Sequence, residues 1–459
     1  MGMLFEVLAR WLKSPGFKLC LIAFLILLLM IPLLMVSALI SEREGRARNV
    51  RADVGRTWGP EQRLNGPFLV VPYTVRVETV QAYKRIETFQ ERRAVFTPET
   101  LQISGRAEAK TLRRSIFDVP VYTSQVKLTG RFAAPRISDV VADPASVRWR
   151  DASVVLAVSG VAGLKEQASL KITGATDVPF APSLGLAANA PPGMHAKLAD
   201  AGASVLADPD KPPAAFTFAI DLAFNGSVSI DFAPVARETR VAFTSNWPHP
   251  SFAGAFLPDE RQITATGFSA SWKVPHLARS VPEAWSLNEA GIERLSQYAF
   301  GVRMIEPVDF YSMVNRAAKY GLMFLTMAFM AVFSLELVSR QGVHPVQYIF
   351  TGIALVFFYV LLLSLAEHIG FPRAYLIASL ATGTMLAAYI GAVLGNRRMG
   401  FIMFAVFAVI YLLLYVILQL EDYALLAGAL LGFAALTAVM FATRRVDWSG
   451  GGTKTAGTA

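Results

Sequence analysis

The sequence predicts a polytopic α-helical membrane protein of six spans, with a large β-rich (α+β) domain set between the first and second spans. Three observations lead there. Only 17% of the 459 residues are charged while 54% are hydrophobic, whereas soluble domains carry about 25% charge. The charges are unevenly placed, dense in both signs from Ser41 to Arg316 and sparse on either side. The flanks hold apolar runs close to the roughly 20 residues a helix needs to cross a bilayer.

The first run, Leu19–Ile40, is interrupted only by Pro32 and Ser37. As a helix it is about 33 Å long, enough for a hydrocarbon core of about 30 Å. Val36-Ser37-Ala38 is compatible with signal cleavage, but the apolar core of a signal peptide is only about 7–15 residues long, so the run reads as a retained anchor. Five further runs follow, at Ala317–Leu337, Val346–Ala366, Ala374–Leu394, Gly400–Leu420 and Ala424–Ala442. The loops between them can only turn the chain, which makes residues 317–442 a bundle of antiparallel neighbours. Gly383, Gly391, Gly428 and Gly432 are expected to let those helices approach closely.

Residues 1–18 precede the anchor. There Leu4, Phe5, Val7, Leu8, Trp11 and Leu12 share one helical face, opposite Glu6, Arg10 and Lys13. That pattern predicts an interfacial helix on the inner leaflet, ended by Ser14-Pro15-Gly16. Residues 443–459 form a tail, Gly- and Thr-rich from Ser449 and expected to be disordered.

Orientation follows from the basic residues of the short loops. With the N-terminus inside, Arg10, Lys13, Lys18, Arg340, Arg397, Arg398, Arg444 and Arg445 all lie on the cytoplasmic side. The opposite short loops hold Arg373 and the acidic pair Glu421-Asp422. Both termini are then cytoplasmic, and residues 41–316 lie in the exterior space, the periplasm of a Gram-negative cell. Arg43, Arg46, Arg48 and Arg51 run against the rule, but long translocated regions are largely exempt from it.

Within 41–316 the polar stretch from Glu42 to about Glu61 reads as a helical stalk continuing the anchor. After Gly66-Pro67 the period changes to two. Phe68–Val77, Val121–Leu128, Arg240–Ser245 and Gln262–Lys273 read as strands. Phe216–Phe224 and Ser227–Phe232 flank Asn225-Gly226, which predicts a hairpin with a type I′ turn. Pro179–Pro213, rich in Ala, Pro and Gly, reads as a loop or a linker dividing the domain into two lobes. Leu287–Phe300 is compatible with a short helix before the chain re-enters the membrane.

Catalytic chemistry finds little support. The net charge of +9 comes without a basic cluster interleaved with aromatics, so no nucleic-acid partner is expected. Cys20 is the sole cysteine, which excludes an intrachain disulfide and any cysteine-based metal or redox site. The five histidines lack metal-ligand spacing, and no metal or cofactor is expected. Ser124-x-x-Lys127 matches a penicillin-recognising element in sequence. It lies in a strand pattern, however, where residues three apart face opposite sides. No catalytic residue is assigned, and the chain is expected not to be an enzyme.

Seven residues stand out as candidates. Trp247, His249 and Phe252 lie in Thr244–Phe252, where Pro248 and Pro250 hold the backbone extended. This segment is either a rigid recognition loop or a strand exit whose aromatics cap the core. Glu336 and His344 lie at the inner ends of the second and third spans, with Arg340 close by. Glu367 and His368 lie at the outer end of the third. Ionisable groups in spans point by default to function. At interfaces hydration lowers their cost, so structural ion pairs or exposed charges compete with that reading.

Several stretches also resemble the CreD family of bacterial inner-membrane proteins. They are Thr244–Phe252 with Gly254–Pro258, His344–Tyr348 and Leu363–Phe371, supported by Ser14-Pro15, Gly66-Pro67 and Arg316–Tyr320. The resemblance runs from the anchor to the last span and is weakest between Pro179 and Pro213. It implies a cell-envelope integrity protein of the inner membrane, induced by a two-component system in envelope stress and linked to the β-lactam response. It implies no mechanism and no catalytic residue. The expectation is therefore a non-enzymatic protein whose partners are the lipid bilayer and an envelope protein, peptidoglycan or lipid bound by the periplasmic domain. A conduit for lipid or another amphiphile using Glu367 and His368 is the alternative, and an envelope hydrolase a distant third.

Overall fold

The computed structural model describes residues 15–81, 84–186, 190–287, 292–305, 310–339, 342–420 and 423–443. The expected interfacial helix before residue 15, Arg340, Glu421-Asp422 and the tail beyond residue 443 lie outside the described residues. The chain forms two compact units, a helical one built from residues up to Ala47 and from Val308 onward, and a β-rich one from Arg48 to Pro307.

The helical elements are α1 (Pro15–Trp58), α2 (Phe310–Lys319), α3 (Gly321–Ser339), α4 (Pro345–Ile369), α5 (Phe371–Val393), α6 (Arg397–Gln419) and α7 (Ala424–Thr443). Among the described residues α1, α4, α5 and α6 are each long and apolar enough to span. The stretch expected as one second span is instead bent, with α2 and α3 meeting at 51°. Its first part is an amphipathic turn-in helix that buries Tyr311, Met313, Val314, Ala317 and Ala318. Among the described residues there are thus four such spans including the anchor, or five if the bent pair counts as one, where the sequence led to six.

The anchor packs through a seam of Ile22, Ile26, Leu29, Leu33, Val36 and Ile40, all buried. Steps of four and three residues keep one stripe facing a neighbouring helix, as in a coiled coil. Phe24, Leu27, Ile31, Leu34 and Met35, between the seam positions, are exposed, as a lipid-facing surface must be. Lipid is as apolar as leucine, so this seam holds by close fit rather than by exclusion of water. The fit uses two glycines. A Cβ on Gly352 would lie 2.1 Å from Leu29 Cδ1, and one on Gly321 would lie 2.6 Å from Leu33 Cδ2. Of the four glycines expected to bring helices together, Gly391 does so, facing Gly400. Around Gly432 a Cβ would meet nothing within 4 Å, and around Gly383 only Tyr411 at 3.9 Å.

The β unit stacks two sheets. Its strands are β1 (Gln62–Gln81), β2 (Lys84–Phe96), β3 (Thr100–Arg114), β4 (Phe117–Phe132), β5 (Ser146–Val147) and β6 (Ser153–Val158). They continue with β7 (Ser169–Ile172), β8 (Val178–Pro179), β9 (Ala181–Pro182), β10 (Gly193–Lys197), β11 (Phe216–Ser227) and β12 (Ser229–Phe232). The last are β13 (Glu238–Ser245), β14 (Pro250–Gly254), β15 (Glu260–Thr264), β16 (Gly267–Pro275), β17 (Ala284–Ser286) and β18 (Phe300–Met304). One sheet runs β14-β18-β12-β1-β6-β10-β9, with β2 and β5 also paired to β1 and β17 paired to β2. The other runs β15-β16-β13-β3-β4-β11-β7-β8.

β1 is central in its sheet, and the apolar run Phe68–Val71 on it is buried throughout, as a strand covered on both faces requires. β13 alternates buried and exposed residues, so its sheet keeps one wet face. Rings close the space between sheets, with Phe232 and Phe243 5.7 Å apart and Trp272 and Phe300 5.5 Å apart. One continuous core results.

Four local expectations are corrected. No hairpin forms at Asn225-Gly226. β11 runs straight through it, pairing Gly226 with Tyr122, and the chain then crosses to the other sheet at Val228, whose φ is 63°. Glycine is required here by contact rather than by a turn, because a Cβ would lie 2.3 Å from the Tyr122 hydroxyl. Gln262–Lys273 is not one strand but the pair β15 and β16. Pro179–Pro213 is no lobe-dividing linker, since β9 and β10 within it complete one edge of a sheet. The expected helix at Leu287–Phe300 is a short 3₁₀ stretch, Ile292–Tyr298, passing into β18, with residues 288–291 outside the described set.

Gly226→Ala should therefore lower the unfolding free energy of the full-length protein by about 1–3 kcal/mol, the range for overpacking a close-packed site. Gly432→Ala should change it by no more than about 1 kcal/mol. Thermal melts in detergent monitored by circular dichroism check the contrast, and equal melting points would contradict it.

Candidate functional site

Glu336 lies one turn from the end of α3 and is 5% exposed. A lone carboxylate in such a place must find donors, because an unpaired buried charge costs several kcal/mol. It has three. The Lys18 ammonium of α1 donates to Oε1, the Val343 amide donates to Oε1 at 3.0 Å, and the Tyr348 hydroxyl donates to Oε2 at 2.7 Å. One side chain thus ties together the anchor, the end of α3, the turn before α4 and the first turn of α4. Of the readings open for Glu336, the structural ion pair is the one the structure shows, its charge met by protein groups. His344 is not among its partners. It caps α4, accepting from the Val346 amide at Nδ1, while its own amide donates to Gln347.

Glu367 is arranged in the same manner at the other end of α4. Its side chain is 5% exposed, it accepts from the Tyr311 hydroxyl at 3.0 Å, and Arg43 Nε lies 3.7 Å away. His368 is exposed, so the two neighbours do not form a joint site. Both carboxylates are therefore matched to cations of α1. Lys18 and Arg43 are 25 residues apart, about 37 Å along a helix, slightly more than a hydrocarbon core of about 30 Å. One pair sits near each edge of that layer. The pairs differ in strength. Lys18–Glu336 is hydrogen-bonded and mostly buried, whereas Arg43 is more than a third exposed and its contact is long. The second is thus nearer to the 0–1 kcal/mol of a surface pair.

In the β unit Trp247 is half-buried on the core, and its indole donates to the Ile305 carbonyl at 3.0 Å, where the chain leaves the domain. Phe252 sits edge-on to Phe268 and Trp272, at 5.7 and 5.9 Å. His249 is exposed. Trp247 and Phe252 thus serve the packing of the strand exit, and the histidine between them is turned outward. Ser124 is buried and donates to the Arg106 carbonyl, while Lys127 is exposed on the opposite face, as strand geometry dictates.

Two features escaped sequence reading. One is a groove of about 510 Å³ across the wet face of β3, β4 and β11, lined by Ser104, Arg106, Gln125, Lys127, Glu166 and Asp221 among others. Every second residue of each strand points there, a signal present in the alternation but indistinguishable from an ordinary solvated face. Asp221 is already engaged by Lys171 at 3.0 Å, so the cations Arg106 and Lys127 outnumber the other acid of the lining, Glu166. The other is a polar knot at the start of β1. The buried Tyr122 hydroxyl donates to the Ser229 carbonyl at 2.7 Å, and Gln62 donates to the carbonyls of Gly160 and Asn225. Burial, followed by the charges of Asp231 and Glu61, pushes the Tyr122 pKa well up, so the phenol stays a neutral donor. Among the described residues no group of three or more His, Cys, Asp or Glu side chains is placed to hold a metal ion.

Replacing Glu336 by Gln should strand Lys18 and cost up to about 3 kcal/mol, the low end for breaking a buried pair because Lys18 is partly exposed. Glu367→Gln should cost about 1 kcal/mol or less. Comparative unfolding of the two variants in one detergent measures the difference, and a larger loss for Glu367→Gln would reverse the ranking.

Comparison with known proteins bears on the whole chain. A family model described as "Inner membrane protein CreD" matches residues 14–449. The Escherichia coli (strain K12) protein of the same description is 32% identical over 439 residues, covering 95% of this chain and 94% of the relative.

Proposed function

We propose, given that the chain belongs to the CreD family of inner-membrane proteins, that it supports cell-envelope integrity during envelope stress without catalysing a reaction. In this reading both termini are cytoplasmic, and the β domain lies in the periplasm and binds an envelope component or partner protein. The helical bundle holds that domain at the membrane. The observation that carries the reading is the commitment of both intramembrane carboxylates to cations of the anchor. Glu336 and Glu367 are occupied in holding helices together, which leaves the outer domain to meet the ligand. Its groove, where Arg106 and Lys127 stand beside Glu166 and a lysine-paired Asp221, suits a polar, acidic partner such as a peptidoglycan stem or an acidic protein segment.

A second reading, handling of a lipid or other amphiphile, has one observation in its favour. An apolar groove of about 650 Å³ runs between α5 and α6, lined by Ala387, Ala388, Gly391, Gly400, Phe401 and Phe404 among others. The residues first considered for that role, Glu367 and His368, do not line it.

Photo-crosslinkers placed at Gln125 in living cells should capture an envelope component, and Arg106→Glu with Lys127→Glu should lower the yield at least severalfold at unchanged protein level. Envelope phenotypes should follow that loss and be indifferent to His368→Ala. Phenotypes lost with Ala388→Trp, which fills the α5–α6 groove, but kept in the Arg106/Lys127 variant would favour the amphiphile reading. A reporter enzyme active only outside the cytosol, inserted at the β1–β2 turn, should be active; silence there would overturn the topology.

A further inference from the structure

The hairpin of β3 and β4 carries residues that the packing of the domain does not use. It pairs without interruption to Arg114 and Phe117, leaving Ser115-Ile116 as the turn, with Ser115 at φ 60°. The tip, Lys110 to Asp118, holds Lys110, Arg113 and Arg114 against the single acid Asp118. Arg113, Arg114 and Ser115 are exposed, and Ile116 and Phe117 are half-buried. A two-residue turn of this kind favours Gly or Asn, so a basic and apolar tip is not explained by turn chemistry.

Its direction is set within the β unit. The hairpin lies along the helical segment Arg48–Trp58. Lys110 sits over the Trp58 ring at 4.4 Å, the Trp58 indole donates to the Tyr122 carbonyl at 3.2 Å, and Val50, Val54, Leu112, Val119 and Val121 pack together. From Lys110 the strand runs four residues, about 13 Å, to its tip. The same distance back along a helix from Trp58 is nine residues, which places the tip about level with Asn49. Asn49 follows Ile40, the end of the apolar run, by nine residues of sequence, so this is the end of the domain tethered next to the membrane segment. The second chain connection leaves from the same end. Asn246 brackets Ala109 through both backbone groups, at 2.7 and 3.1 Å, and the adjacent Trp247 holds the Ile305 carbonyl. The hairpin tip is thus flanked by both segments that join the domain to the bundle. The far end of β1 lies at the opposite end of the domain, because β1 starts beside this end and runs 20 residues away from it.

We infer that the β3–β4 tip is a membrane-surface contact, in which Arg113 and Arg114 engage anionic phospholipid headgroups of the leaflet on the domain's side and Ile116 and Phe117 enter the interfacial layer. Guanidinium groups pair with phosphate oxygens through several donors at once, and aromatic and branched side chains favour that layer. Each basic residue near an anionic surface adds roughly fivefold to partitioning, so two arginines give an effect that charge reversal should expose.

The test uses the full-length protein in vesicles. Cys20, the sole cysteine, is replaced by serine. An environment-sensitive fluorophore is then placed at Ile116→Cys or, as a control, at Phe89→Cys, which is exposed toward the opposite end of the domain. Vesicles of phosphatidylcholine with and without phosphatidylglycerol carry bromine-labelled acyl chains as quenchers. The expected result is quenching at position 116 severalfold above that at position 89. It should rise with phosphatidylglycerol, fall with salt, be kept by Arg113→Lys with Arg114→Lys and be lost by Arg113→Glu with Arg114→Glu. Equal quenching at the two positions would overturn the inference. So would a blue-shifted but unquenched label at 116, which would mean that protein rather than lipid covers the tip.

Discussion

A charge inside a bilayer cannot be left without a partner, and in this chain that constraint decides where the first helix goes. Glu336 and Glu367 stand on helices far along the sequence, and their cations come from either end of the anchor. Neither lipid nor the apolar seam alone could fix the anchor's height or rotation, because a leucine stripe tolerates slipping by one heptad at modest cost. Two ion pairs about 37 Å apart oppose that freedom, since a slip of the helix breaks both, at a cost set mainly by Lys18–Glu336. The glycine notches at Gly321 and Gly352 then receive Leu33 and Leu29. Charge sets the register and close packing holds it. The anchor is thereby a structural member of the bundle and more than a tether for the β domain.

The β unit solves a different problem. The main paths of the two long sheets have four ends, and each pair of ends is supplied by one short stretch of chain. β8 and β9 end one side, and β14 and β15 end the other. Pro179 and Pro182 sit in the first pair and Pro250 in the second, where a missing amide hinders further strand addition. Crossing between sheets within a few residues also explains the positions of Val228 and Gly226, which a hairpin reading of the same residues misplaces.

Much of this was legible in the sequence. Apolar length marked the spans, and the change to alternation after Gly66 marked the domain. The opposed faces of Ser124 and Lys127 followed from the strand period alone. What could not be read was set by partners distant in sequence. Asn225-Gly226 carries a strong turn signal, yet the glycine answers to the Tyr122 ring. Lys18 and Glu336 are 318 positions apart, with nothing local to announce the pair. Gly321 and Gly352 look no different from Gly432, and only the leucines that fill them distinguish them. The sequence likewise offered Glu367 and His368 as neighbours, but a helix turns adjacent residues about 100° apart, and one faces inward while the other does not.

The account rests on the Lys18–Glu336 pair as the element that fixes the anchor in the bundle, and exchanging the charges tests it most directly. Lys18→Glu, Glu336→Lys and the double exchange would be compared by accumulation of full-length protein in the membrane fraction and by melting in detergent. The account predicts that each single reversal is severely depleted and that the double exchange recovers most of the loss. A double exchange no better than the worse single variant would contradict it.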